Sequence, residues 1–167
     1  MAALESLLER LIQRQLEFVI VGGFAAMAHG ASIVTQDVDI CCPFNATNLK
    51  CLHDALADLH PYHRLTPNRL PLQITPENIG RLENLYLMTD WGQIDCLSRI
   101  KGIGEFEAVR TRSVEIQLAF GRCRVLGLDA LIAAKLAIGE TRDKLTVIQL
   151  QAIRERQDLK PGTGEQR

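Results

Sequence analysis

The chain has no excess of charge of either sign: 19 lysines and arginines stand against 20 aspartates and glutamates, a formal net charge of −1. Without an overall positive field, nothing draws the molecule as a whole onto nucleic acid or anionic lipid, so any polyanion must be held by a local patch. No apolar run approaches the ~20 residues that span a bilayer. The opening MAALESLLERLIQRQ is amphipathic, with acids and bases interleaved, rather than a basic leader followed by an apolar core. These absences lead us to expect a cytoplasmic protein with no membrane partner. The chain also lacks a CxxC pair. Its five cysteines, Cys41, Cys42, Cys51, Cys96 and Cys123, are an odd number, and adjacent Cys41 and Cys42 would point to opposite faces of a strand, so buried free thiols are expected. There is no G-x-G-x-x-G, which excludes the usual dinucleotide cradle, and there is no internal repeat or low-complexity tract.

What is present is the mix of an ordinary globular protein, 47% apolar and 23% charged over 167 residues. We expect one domain over residues 1–156 and a frayed polar tail over 157–167, which carries Pro161, Gly162 and Gly164. Leu4, Leu7, Leu8, Leu11 and Ile12 mark one stripe of a helix over residues 3–15. Phe18 to Val21 reads as a buried strand that breaks at Gly22 and Gly23 into a short helix ending near Gly30, and Val34 to Cys41 as a second strand stopped by Pro43. Thr47 to Leu59 is helical by pattern, and the proline-rich stretch from Pro61 to Asn78 reads as an irregular excursion. Two hairpins follow, 85–89 with 93–98 and 114–118 with 123–126, and then two closing helices, Leu128 to Ile138 and Arg142 to Arg154.

The chemistry is concentrated in FVIVGGFAAMAHGASIVTQDVDI. In a strand, Asp37 and Asp39 face the same way while Val38 turns into the core. Two carboxylates held side by side repel, raise each other's pKa and are costly to bury, so something positive belongs between them. Hard divalent cations held by shared carboxylates satisfy that demand, and magnesium (Mg2+), two ions together, is the expectation. Asp95, inside the apolar strand Gln93-Ile94-Asp95-Cys96-Leu97, is the best third acid. A strand turning through Gly22-Gly23 into a helix start exposes backbone N–H groups that suit phosphate. Lys135 falls in the middle of the apolar stripe of its helix, where an ammonium needs an anion, either a phosphate or Asp143.

VGGFAAMAHG, VTQDVDI, QIDCL and LDALIAAKLAIGETRDK resemble the nucleotidyltransferase superfamily typified by DNA polymerase beta. They are most similar to small stand-alone bacterial members related to lincosamide-modifying and abortive-infection enzymes. The resemblance covers roughly residues 16–150 and implies an α/β (α+β) fold with a mixed β-sheet flanked by helices and closing C-terminal helices. It implies magnesium-dependent transfer of a nucleoside monophosphate from a nucleoside triphosphate such as ATP to an acceptor hydroxyl on a small molecule, an RNA or a protein. On that resemblance Gly22 and Gly23 match the triphosphate turn, Asp37 and Asp39 the metal pair, and Asp95 the third metal-binding acid that helps take the acceptor's proton. Thr35, Lys135, Arg142 and Asp143 match positions lining the nucleotide site. Ile33 and Thr146 depart from the pattern, standing where many relatives carry an arginine and an acid. The competing reading is a catalytically silent nucleotide-binding or antitoxin-like module working with a toxin–antitoxin partner.

Overall fold

Helix α1 (Ala2–Gln13) buries Leu4, Leu7, Leu8 and Leu11, the stripe its leucine spacing predicts. It lies against the sheet beside helix α3 (Ala46–Leu56), which buries Leu49, Leu52 and Leu56. The computed structural model describes residues 2–159, so most of the expected tail, 160–167, lies outside the described residues.

The main sheet has seven strands in the order β3-β4-β5-β2-β1-β9-β8. These are β1 (Val19–Ile20), β2 (Asp37–Cys41), β3 (Tyr62–His63), β4 (Asn84–Thr89), β5 (Gly92–Leu97), β8 (Ser113–Leu118) and β9 (Gly121–Leu126). A separate two-stranded ribbon pairs β6 (Arg99–Ile100) with β7 (Gly104–Glu105), and α4 (Phe106–Thr111) follows it. The sheet is mixed: β2 runs parallel to β5 and β1 parallel to β9, while β1–β2, β3–β4, β4–β5 and β8–β9 are antiparallel. Both hairpins fall where alternation and turn residues put them. Three helices close the other side: α2 (Gly22–Ala28), α5 (Leu128–Ile138) and α6 (Lys144–Asp158). Helix α2 packs on β2 and β9, and α5 packs on both α2 and α6.

Two expectations need correction. The second strand does not begin at Val34: ladder pairing starts at Asp37, and Val34 is 87% exposed in a loop. β-propensity misled here, because Thr35 spends its hydroxyl on Asp37 rather than on strand packing. The proline-rich excursion also contains β3, two residues paired to Met88 and Leu87 that no sequence period could reveal. All five cysteines are free thiols, and all but Cys51 are buried.

Asn48, buried on α3, joins the two layers. Its side-chain oxygen accepts from the Glu17 amide at 2.8 Å, and its amide nitrogen donates to the carbonyls of Glu17 and Pro43 at 3.0 and 3.1 Å. Below it, Asn45 caps the helix by accepting from the Asn48 amide at 2.9 Å. Removing the hub leaves backbone groups unsatisfied under α3. Asn48→Ala is expected to lower unfolding free energy by about 2–3 kcal/mol, read as a drop in urea midpoint with an unchanged m-value. A change within error would show that water replaces these bonds.

Candidate active site

The register of two parallel strands builds the site. Asp37 pairs with Gln93 and Asp39 with Asp95 across β2 and β5, so the third acid sits directly beside the second on the next strand. Val38, Ile40, Ile94 and Cys96 alternate with these residues and are fully buried, which leaves the acids on the side that α2 and α5 flank.

The glycine turn is pressed onto this acid pair. Gly22 has φ +61°, and a Cβ placed on it would lie 1.9 Å from Asp39 Oδ2, so only glycine allows the chain to pass so close. A Cβ on Gly23 would lie 2.6 Å from the Thr35 hydroxyl. The Gly23 amide donates to Asp39, and the Thr35 hydroxyl donates to Asp37 Oδ1 at 2.7 Å. Thr35 therefore does bond the aspartate pair, from a loop rather than from a strand.

On the opposite wall, Lys135 is buried in α5 and donates from Nζ to Asp143 Oδ1 at 2.6 Å, so the out-of-place lysine finds the anion that its position demands. Both side chains are largely buried, at 10% and 16% exposure. Arg142 is different: its side chain is 83% exposed, and Nε meets Glu140 Oε2 at 2.5 Å. Gly22, Gly23, Thr35, Asp37, Asp39, Lys135, Arg142 and Asp143 all line one cleft of about 760 Å3, between the β2 edge and the α5–α6 connection. Its remaining acid, Glu140, is paired, as is Asp143.

Asp95 does not line that cleft. Arg64 grips it in a two-pronged pair, Nε to Oδ1 at 3.2 Å and Nη2 to Oδ2 at 2.5 Å. Arg64 lies just past β3 and was missed in the sequence. The only available signal was Asp95 itself, an acid inside an apolar strand that needs a cationic partner, but nothing in the sequence says which base supplies it. His29, the C-cap of α2, donates from Nε2 to the Leu126 carbonyl at 2.8 Å and serves the fold.

Burial pushes the Asp39 carboxyl up to about 7; the neighbouring Asp37 and Asp95 add to the rise, while the Gly23 amide and Lys135 oppose it. Burial also raises Asp95, against the pull of Arg64. A buried carboxyl among like charges is one that gains from a cation. The fit to magnesium is therefore good at Asp37 and Asp39, which face the cleft together. Among the described residues, however, no three histidine, cysteine, aspartate or glutamate side chains are placed to hold a metal ion. Asp95 is ion-paired with Arg64.

The mixed seven-stranded sheet flanked by helices is the fold of solved nucleotidyltransferases. A Thermotoga maritima protein assigned as a nucleotidyltransferase superposes with a TM-score of 0.53 over 94% of this chain and 91% of that one, at 12% identity. The antibiotic-resistance factor ANT(2'')-Ia superposes with a TM-score of 0.50 over 94% and 92%, at 14% identity. No protein-family model matches the chain, and no curated protein matches it in sequence. At such identities the likeness establishes the fold.

Two outcomes follow from the geometry. Asp39 is raised from 3.8 to about 7, so between those values the folded chain keeps a proton that the unfolded chain releases, and stability falls as pH rises through that window. Asp39→Asn removes the penalty: relative to wild type it should be near neutral at about pH 4 and more stable by about 1–3 kcal/mol above about pH 7. Urea midpoints across that range check it, and a pH-independent difference would contradict the assignment. Gly22→Ala should displace Asp39 and cost at least about 1 kcal/mol of stability in the same assay.

Proposed function

We propose that the protein is a magnesium-dependent nucleotidyltransferase that moves a nucleoside monophosphate from a nucleoside triphosphate to an acceptor hydroxyl on a small molecule, an RNA or a protein. The observation that carries this reading is the paired Asp37 and Asp39 lying under the Gly22–Gly23 turn in an open cleft. Asp37 and Asp39 are the residues that would hold the metal, which when bound neutralises charge on the triphosphate and polarises its α-phosphate.

The chain's own residues account for the remaining steps. Gly22 and Gly23 keep side chains out of the floor where the phosphates approach. Thr35 fixes the Asp37 carboxylate through its hydroxyl, so that the oxygens keep one orientation. Lys135 supplies the positive charge of the far wall, and Asp143 holds its ammonium in place. Arg142, at the rim, is free to leave Glu140 for a phosphate, because an exposed ion pair contributes little. As the acceptor oxygen bonds to the α-phosphorus, the bond from that phosphorus to the bridging oxygen breaks, and pyrophosphate leaves with the electron pair. The acceptor's proton leaves to water through the open mouth of the cleft, since Asp95, the acid expected to take it, does not line the cleft.

A silent nucleotide-binding or antitoxin-like module of the same fold is the rival, and the Arg64 grip on Asp95 is the observation in its favour. Thermal unfolding with each triphosphate, with and without magnesium, tests the proposal. A ligand at 100 times its Kd stabilises by about 2.7 kcal/mol, which is roughly 5–10 °C for a chain of this size. The shift should require magnesium and vanish in Asp37→Asn; no shift with any triphosphate would contradict the proposal. Transfer of an α-phosphate label into cell extract then separates turnover from silent binding.

A further inference from the structure

Resting on the nucleotidyl-transfer reading, we infer that the acceptor is the end of a single-stranded nucleic acid, laid across a shelf of tyrosines and arginines on the open half of the sheet beside Asp37 and Asp39. Strand register puts two rows of side chains on the face that carries the acids. Arg64, Tyr86, Asp95 and Asp39 form one row, the Arg64 amide extending β3 by donating to the Tyr86 carbonyl at 2.9 Å. Tyr62, Met88, Gln93 and Asp37 form the next. Three strand spacings, about 14 Å, separate Tyr62 from Asp37. The two halves of this face are covered differently. Helix α2 packs on it at β2 and β9, whereas Tyr62, Arg64, Tyr86, Met88 and Gln93 are all only half-buried. On the reverse of β4 and β5, Leu85, Leu87, Ile94 and Cys96 are fully buried.

The chemistry of the shelf is that of ring and cation. Tyr62 and Tyr86 are diagonal neighbours on the antiparallel β3–β4 pair, about 7–8 Å apart, a separation that suits successive bases of an extended strand. Each ring has a guanidinium over it, 5.5 Å from the centroid: Arg64 over Tyr86 and Arg69 over Tyr62. Arg64 is ion-paired with Asp95, so it adds a planar surface without net charge. Arg69 is exposed and, among the described residues, has no carboxylate partner. Its φ of +47° lies in the left-handed region that a residue with a side chain seldom takes. The turn is pinned there: the His63 amide donates to the Leu70 carbonyl and the Thr66 hydroxyl to the His63 carbonyl, both at 2.8 Å.

Bases stack on aromatic rings and on guanidinium planes alike, and an unpaired cation beside them suits the phosphate that links two bases. A duplex keeps its bases stacked on each other and cannot use such rings. The formal net charge of −1 confines the attraction to this local patch. Gln93 joins shelf to cleft: it pairs with Met88 on one side and Asp37 on the other, and it lines the cleft. A strand resting on Tyr62 and Tyr86 thus brings its terminal hydroxyl past Gln93 to the cleft. There that oxygen bonds to the α-phosphorus, the bond to the bridging oxygen breaks, pyrophosphate leaves with the electron pair, and the hydroxyl proton goes to water.

Fluorescence anisotropy of the full chain with a labelled single-stranded RNA octamer, and separately a DNA octamer, tests the inference, with magnesium and a non-hydrolysable α,β-methylene triphosphate present. At least one should bind, and the tighter names the sugar. Tyr62→Ala should weaken binding by at least about fivefold, the loss of one stacked base, while Tyr62→Phe stays within about twofold. Tyr62→Leu replaces Tyr62→Ala should the latter not fold. Arg69→Gln should also weaken binding and make log Kd less steep in log salt by about 0.7, one phosphate contact. A duplex of the same sequence should bind at least about tenfold more weakly. No binding of either octamer, equal binding of the duplex, or affinities unchanged in both Arg69→Gln and the Tyr62 variant overturns the inference. The magnesium-dependent triphosphate shift is read on the same protein. A shift without octamer binding overturns the shelf and leaves nucleotidyl transfer standing, whereas absence of the shift overturns both.

Discussion

The structure depends on one electrostatic constraint: three carboxylates are set on adjacent parallel strands with Asp39 and Asp95 in register, and each must be answered by a positive or hydrogen-donating group. The chain answers them separately. Thr35 donates to Asp37, Gly23 donates to Asp39, and Arg64 forks onto Asp95. What remains unanswered is the charge between Asp37 and Asp39, on the side open to the cleft. That unbalanced charge gives the site its demand for a cation.

The same constraint explains local features that otherwise look arbitrary. Gly22 has left-handed backbone dihedrals because any side chain would strike the Asp39 carboxylate. β2 is short because the residues before Asp37 are needed as a loop that returns a hydroxyl to it. Lys135 is tolerated in the buried stripe of α5 only because Asp143, at the turn before α6, reaches back to it. Local backbone geometry, strand length and helix composition thus bend around the site, as expected where function rather than packing sets the sequence.

How much of this was legible in the sequence depended on distance along the chain. The glycine turn and the aspartate pair lie within one short stretch, and Lys135 with Asp143 within another, so alternation and helical spacing exposed them. Asp95 was legible as an acid out of place in an apolar strand. Arg64 was not, because its partner lies 31 residues away and the strand that delivers it has only two paired residues. Val34 and Thr35 were misread as strand because β-branched residues look the same whether they pack in a sheet or hold a loop hydroxyl in place. The ribbon of β6 and β7 and the helix α4 are equally short and carry no period long enough to detect.

The central claim is that the Asp37–Asp39 pair is built to receive a cation together with a triphosphate. Its most direct test is a carboxyl 13C NMR titration of Asp39. The free protein should show a midpoint near the value of about 7 that burial and its acidic neighbours impose. With magnesium and a non-hydrolysable triphosphate, that midpoint should fall by at least about two units, as expected when an opposite charge arrives beside a carboxylate. A midpoint unmoved by metal and nucleotide would contradict the account.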